Sequence, residues 1–331
     1  MTSGRRVPAR LLAALFTLGG AALFAWVVRR TGVTGILEGI QRVGWGLAVI
    51  LSLAGLRLAL RSAAWRLCMA PGTALTFRRA FTAFLAGDTA GTITPFGILA
   101  SEPTKVFLTR HHLATRDAIA SLALENLLYA MSVVVMVAVG LVLILATVPL
   151  SAAWRWSMVA ALACLAAGGP IAWRLMRGTW DERRGARSRW RERLATARLT
   201  VTGFAASHPG RVWRALGFDA AFHLLAVVEV FLTLRWLLGD LPSPGFGEAG
   251  LRPTLAQAVI FESVNRVIIV AFKFVPFRIG VDEALTGALA PILSVNPAAG
   301  VTLAVVRKVR SLFWAAVGLA VIAAHPTSAS R

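Results

Sequence analysis

NLLYAMSVVVMVAVGLVLILATVPLSAAW, Asn126 to Trp154, contains no charged residue. A helix needs about 20 consecutive apolar residues to cross the hydrocarbon core of a bilayer, and this run exceeds that length. Leu11 to Val28 and Trp156 to Trp173 are two further charge-free runs. The whole chain of 331 residues is 57% hydrophobic, with a mean hydropathy of +0.70. Soluble domains lie nearer about 45–50%. A transmembrane β-barrel shows short alternating segments instead of long apolar runs. The fold class is therefore all-α, a polytopic integral membrane helix bundle.

Working outward from that run, full-length spans are expected near 11–28, 44–68, 120–149, 156–173, 213–238, 254–275 and 300–324. Two further segments, 78–112 and 276–296, are apolar but interrupted, and read as broken or re-entrant hairpins. The break residues are Pro95, Gly97 and Pro103 in the first and Pro276, Gly280, Pro291 and Pro297 in the second. The basic start and apolar run at the N-terminus resemble a signal peptide, but no convincing small-residue cleavage site follows, so a retained first helix is expected.

The net charge of +20 is mostly arginine, with lysine only at 105, 273 and 308. In a membrane protein such charge sets topology and meets anionic lipid. No aromatic-basic motif for nucleic acid accompanies it. The densest stretch, RRGARSRWRERLATAR at 183–198, lies in a region, 174–212, expected to be cytoplasmic, with Trp190, Leu194 and Ala197 on one amphipathic face. The loop at 239–250 is only acidic and reads as external. Counting spans back places the N-terminus in the cytoplasm, which leaves Arg29, Arg30 and Arg42 outside. Cys68 and Cys164 sit in apolar segments and read as small core residues. His111 and His112 are adjacent and the other histidines are scattered, so no metal site and no cofactor is expected.

Two stretches match. In TPFGILASE, Pro95-Phe96 is followed five residues later by Glu102; in VPFRIGVDE, Pro276-Phe277 is followed five residues later by Glu283. Both copies fall at a helix break, which suggests an internal repeat with halves at about 44–149 and 213–324 in a single membrane domain. Paired broken helices in two halves point to a transporter's central site. Non-helical backbone at membrane depth is tolerated where protein or a water-filled cavity satisfies it. Glu102 and Glu283 are thus substrate-binding candidates. Each could equally cap the helix that follows it.

Ionisable residues inside spans are costly and usually face a partner or a cavity. Arg57 and Arg61, four apart, share a helix face and could grip a phosphate or reach toward the inner surface. Glu262 and Arg266 have the spacing of an intrahelical ion pair, with Asn265 beside them. Asp219 and His223 are also four apart, with Glu229 on the same broad arc; a structural contact or a proton relay would suit them. Glu125 opens the span at 120–149, and Asp88 lies just before the first break. Arg307, Lys308 and Arg310 open the last span and are expected to mark its cytoplasmic end.

GDTAGTITPFGILASEPTKVFLTR with ASLALENLL, and VPFRIGVDEALTGAL with LAVVRKV, resemble the membrane region of lysylphosphatidylglycerol synthases, a flippase-like family that also occurs as stand-alone proteins. The resemblance extends from about residue 10 to 324. Glu102, Pro276, Gly280 and Glu283 match the family pattern. Phe96 stands where the family has glycine, Ala100-Ser101 where it has Gly-Gly, and Asn126 where it has arginine. The synthases carry a soluble aminoacyltransferase domain after the membrane part, whereas this chain ends at Arg331. The resemblance therefore implies lipid binding or translocation in a bacterial inner membrane, not lysyl transfer. The expected ligand is a phospholipid or lipid-linked molecule with an anionic or modified headgroup. Two alternatives stand beside it: a membrane-embedded transferase, which usually needs clustered carboxylates for a metal, and an accessory subunit that holds a partner synthase through 174–214. The sequence has no G-x-x-x-x-G-K-[ST] phosphate loop.

Overall fold

The structure, a computed structural model, describes residues 26, 29, 33–94, 97–177, 202–239, 252–272 and 275–324. The expected first span apart from Trp26, the Pro95-Phe96 dipeptide, Arg30, the arginine-rich stretch 183–198 and the acidic loop beyond 239 lie outside the described residues, as does the Pro276 side chain. Among the described residues there is no strand. The helices are α1 (Val33–Val43), α2 (Gly46–Leu67), α3 (Phe77–Ile93), α4 (Gly97–Thr109), α5 (Thr115–Thr147), α6 (Ala152–Arg177), α7 (Pro209–Leu238), α8 (Leu255–Ala271), α9 (Val281–Ile292) and α10 (Pro297–Ala324), with a 3-10 turn at Pro276–Arg278.

Local chemistry sets the ends of these helices. Thr254 accepts the Gln257 N–H at 3.1 Å while the Gln257 side chain accepts the Thr254 N–H at 2.8 Å, a reciprocal cap that starts α8. Asn296 Oδ1 accepts the Ala298 N–H at 2.8 Å at the start of α10. Pro149 stops α5 by pushing Val148 into extended backbone (φ −106°, ψ 128°). The first break has the same cause: Thr94, which precedes Pro95, is extended at φ −95°, ψ 146°. At the second break, Gly280 takes φ 81°, a conformation that favours glycine, and Phe277 and Arg278 are also left-handed at φ 51° and 48°.

Three described helices are long and apolar enough to cross a membrane by length and composition: α2, α5 and α7. The 33 residues of α5 reach about 50 Å, well beyond the roughly 30 Å of hydrocarbon. α10 is also long but carries Arg307, Lys308 and Arg310 in its middle. α3 with α4, and α8 with α9, are shorter pieces separated by the breaks. Of the seven expected full spans, those at 254–275 and 300–324 are accordingly less simple than their hydropathy suggests.

The packing pairs one run of helices with the other. α2 lies along α7 in antiparallel fashion: Gly46 faces the Trp236 ring, Arg57 meets Glu229, and Arg211 bonds the carbonyls of Arg66, Leu67 and Met69. α5 crosses α8, and α10 crosses α3. Both crossings place a glycine against a hydroxyl residue. A Cβ on Gly140 would lie 2.3 Å from Ser263 Cβ, and one on Gly318 would lie 2.8 Å from Thr89 Cβ. Small residues at such points let helix backbones approach closely, the usual source of association between helices in lipid.

α6 packs against α5, and its side chains from 152 to 168 are largely exposed. Cys164, expected in the core, is exposed there, whereas Cys68 is buried. The reason is that α6 carries no charge from Trp156 to Trp173, so its sequence suits lipid contact there and does not mark one inward face.

Candidate functional site

The buried charges converge on Phe222 of α7. Glu229, two turns further along α7, accepts from Arg57 Nη1 of α2 at 2.7 Å and from Arg310 of α10. Glu262 of α8 accepts from Arg266 one turn along its own helix, from Arg307 of α10 at 3.2 Å and from Asn265 at 3.3 Å. The two groups share one aromatic ring: the Arg57 guanidinium lies 4.5 Å and the Arg266 guanidinium 5.0 Å from the centre of Phe222. Such contacts stabilise a cation where water is scarce. Arg266 also donates to the Tyr129 hydroxyl of α5 at 3.0 Å. Tyr129 in turn lies under Arg61, 3.5 Å from its guanidinium, and Arg61 pairs with Glu125 at 2.6 Å.

The charge balance within this cluster is uneven. Glu229 and Glu262 each hold two arginines, so four guanidiniums face two carboxylates. Arg57 Nε and Arg266 Nε are buried donors with no hydrogen-bond partner, although both residues are more than nine-tenths buried. Excess buried positive charge and an orphaned donor both cost stability. A phosphate oxygen would supply the missing acceptor and charge, and arginine is the side chain whose planar fork suits it.

Residues 10–318 match the family described as lysylphosphatidylglycerol synthase TM region. The chain belongs to that family. No curated protein and no solved structure matches it significantly. The chain is therefore a multi-pass helical membrane protein of a family related to lipid handling.

In this family member the expected site residues fall into distinct groups. Arg57, Arg61, Glu125, Glu262 and Arg266 come together around Phe222 and Tyr129. The two arginines of α2 are buried in the bundle, where Arg57 pairs with Glu229 of α7 and Arg61 with Glu125 of α5. Glu283 is buried at the second break; its Oε2 accepts the Gly280 N–H at 2.8 Å and its Oε1 lies 2.7 Å from Lys308 Nζ. It caps its own helix. Glu102 does not: it sits inside α4, paired with Lys105 Nζ at 2.9 Å, and its Oε2 is buried without a partner. The Lys105 ammonium also rests 4.2 Å from the Phe84 ring of α3, which ties the two arms of the first broken hairpin together. Asp88 is exposed on α3, outside these groups.

Two expectations need correction. Glu125 does not open its span, since α5 begins at Thr115 and places it about 3 turns inside. Arg307, Lys308 and Arg310 do not mark a cytoplasmic helix end: α10 begins at Pro297, and they turn inward to Glu262, Glu283 and Glu229. Asp219 and His223 do not bond each other, and at His223 the structure has the expected contact between helices, made with α5. His223 Nε2 instead meets Ser132 Oγ at 3.0 Å and its ring stacks on Tyr129. Tyr129, Phe222 and Lys105 were not legible as site residues. The available signal was that Tyr129 is the chain's one tyrosine and lies in its longest charge-free run. Likewise, Arg307 and Arg310 are three apart and so share a helix face.

Proposed function

We propose that the protein binds and translocates lipids with an anionic, phosphate-bearing headgroup, and that the phosphate is taken by Arg57 and Arg266 beside Phe222. The observation that carries this reading is the pair of glutamates each holding two arginines, of which Arg57, Arg266 and Arg307 are buried and Arg310 is half-buried, with the Nε donors of Arg57 and Arg266 left over. A headgroup amine would add a positive charge to an already cationic cluster. An anion would relieve it. Family membership supports a lipid ligand.

A two-part build supports movement of the lipid as well as binding. The run α2, α3, break, α4, α5 has the same element order as α7, α8, break, α9, α10. The first helices of the two runs pack antiparallel, and each run's last helix crosses the other run's second. This arrangement fits two halves of inverted topology, between which a central site can open to either side in turn. Glu102–Lys105 and Glu283–Lys308 then lie at corresponding breaks, and Glu102, with its free oxygen, keeps a place as a headgroup contact.

The test is translocation of a fluorescent phosphatidylglycerol in proteoliposomes. The reading expects transport by the wild type and its loss in Arg57→Gln with Arg266→Gln. Equal transport in that double variant overturns the assigned site.

A further inference from the structure

Asp219 stands apart from the arginine-rich cluster. It lies on α7, one turn before His223, and is only 1% exposed. Neither of its carboxylate oxygens has a hydrogen-bond partner. The charged groups on the neighbouring helices are engaged elsewhere. Arg57 and Arg310 hold Glu229, and Arg266 and Arg307 hold Glu262. Arg211, earlier on α7, bonds carbonyls at the end of α2, and Arg42 of α1 bonds the Leu237 carbonyl at the far end of α7. Arg61 of α2 and Glu125 of α5 are near enough for their charges to be felt at Asp219, but neither bonds it. Arg61 is committed to Glu125, whose own Oε2 is buried without a partner. Here the balance is the reverse of that at Phe222: there are two carboxylates and one guanidinium, which bonds Glu125 alone. The Nδ1 of His223 is also buried and unpartnered.

A buried carboxylate with no donor aimed at it is costly as an anion, and such a group inside a span usually belongs to an ion or proton path. We infer that Asp219 is a proton-binding site, which holds its proton while Arg61 is paired with Glu125 and releases it when Arg61 turns to Asp219. The exchange balances simply. Asp219 changes from carboxylic acid to carboxylate, the proton passes through water or His223 Nδ1 to Glu125, which Arg61 has left, and Arg61 keeps one carboxylate partner throughout. Because Arg61 also lies over Tyr129, which holds Arg266, the exchange reaches the arginines proposed to grip the headgroup. The proton site itself does not depend on which ligand those arginines take.

The test is infrared spectroscopy of the full chain in nanodiscs at neutral pH, read against Asp219→Asn. The wild type should show the C=O stretch of a protonated, non-hydrogen-bonded carboxylic acid, and Asp219→Asn should lack it. Glu125→Gln removes Arg61's present partner, so Arg61 should turn to Asp219 and the band should disappear. A wild-type spectrum without the band, or a band that survives Asp219→Asn, overturns the site. A band that persists unchanged in Glu125→Gln overturns the exchange through Arg61. Asn mimics the neutral acid in shape, so Asp219→Asn should fold as the wild type does; a severe loss of stability on that change would also contradict a neutral Asp219.

Discussion

Replacing Glu262 by glutamine removes one negative charge from a place where two arginines depend on it. Glu262 is 2% exposed, and Arg266 and Arg307 beside it are 4% and 7% exposed. Arg266 retains the Tyr129 hydroxyl at 3.0 Å, but Arg307 loses its ion-pair partner, which lay at 3.2 Å. Breaking a buried ion pair by neutralising one member costs about 3–5 kcal/mol, because the other charge stays buried. The membrane-embedded unfolded state finds substitute partners, which lowers such costs; a loss near 3 kcal/mol is expected, about 2 orders of magnitude in the unfolding equilibrium. The assay is SDS-induced unfolding in mixed micelles, followed by circular dichroism. A second variant separates charge from packing. Glu262→Gln combined with Arg307→Gln removes the orphaned cation, and the pair should cost at least about 1 kcal/mol less than the sum of the single changes. A Glu262→Gln protein within about 0.5 kcal/mol of the wild type would refute the claim that these charges rely on each other and not on water.

Other changes test the packing and the aromatic support. A Cβ at Gly318 would fall 2.8 Å from Thr89 Cβ, against an ordinary carbon contact of about 3.5–4.0 Å. Gly318→Val should therefore lose about 2–3 kcal/mol in the same unfolding assay, whereas Gly217→Ala on α7, with nothing within 4 Å, should be neutral or gain up to about 1 kcal/mol of helix propensity. Tyr129→Phe deletes the hydroxyl that accepts from Arg266 but keeps the ring under Arg61, so it should cost about 1–2 kcal/mol and weaken anionic lipid binding. Lys308→Met leaves Glu283 without its 2.7 Å cation; faster proteolysis at the 276–280 break is the expected readout.

The chain announces its class and most of its elements. The charge-free run at 126–154 and the prolines at 95 and 276 locate a long helix and two breaks because lipid and proline each leave a strong local mark; Pro103 and Pro291, also expected at the breaks, instead lie inside α4 and α9. Glu262 and Arg266 could be read as a pair because the partner lies four residues away on the same helix. The other pairs join residues far apart in sequence, such as Arg57 with Glu229 and Arg310 with Glu229, and no local spacing reports them. The charges of α10 were misplaced for a physical reason. Basic residues near the apparent start of a span usually meet water or headgroups, and only the helix's earlier start at Pro297, with carboxylates on α7, α8 and α9 facing it, turns them inward. Glu102 and Glu283 share a motif yet differ in surroundings, because one sits mid-helix and the other at a helix start.

The central claim is that Arg57 and Arg266 hold an anionic headgroup, and lipid binding to purified protein in nanodiscs tests it most directly. Glu229 keeps Arg310 and Glu262 keeps Arg307 when Arg57 and Arg266 become glutamine, so the double variant retains a cation for each carboxylate. Each charge-assisted hydrogen bond contributes about 1.5–3 kcal/mol, and loss of two corresponds to an affinity drop of at least about 100-fold. Native mass spectrometry with titrated phosphatidylglycerol should show the wild type retaining the lipid and the double variant releasing it. Equal retention by both proteins would contradict the account.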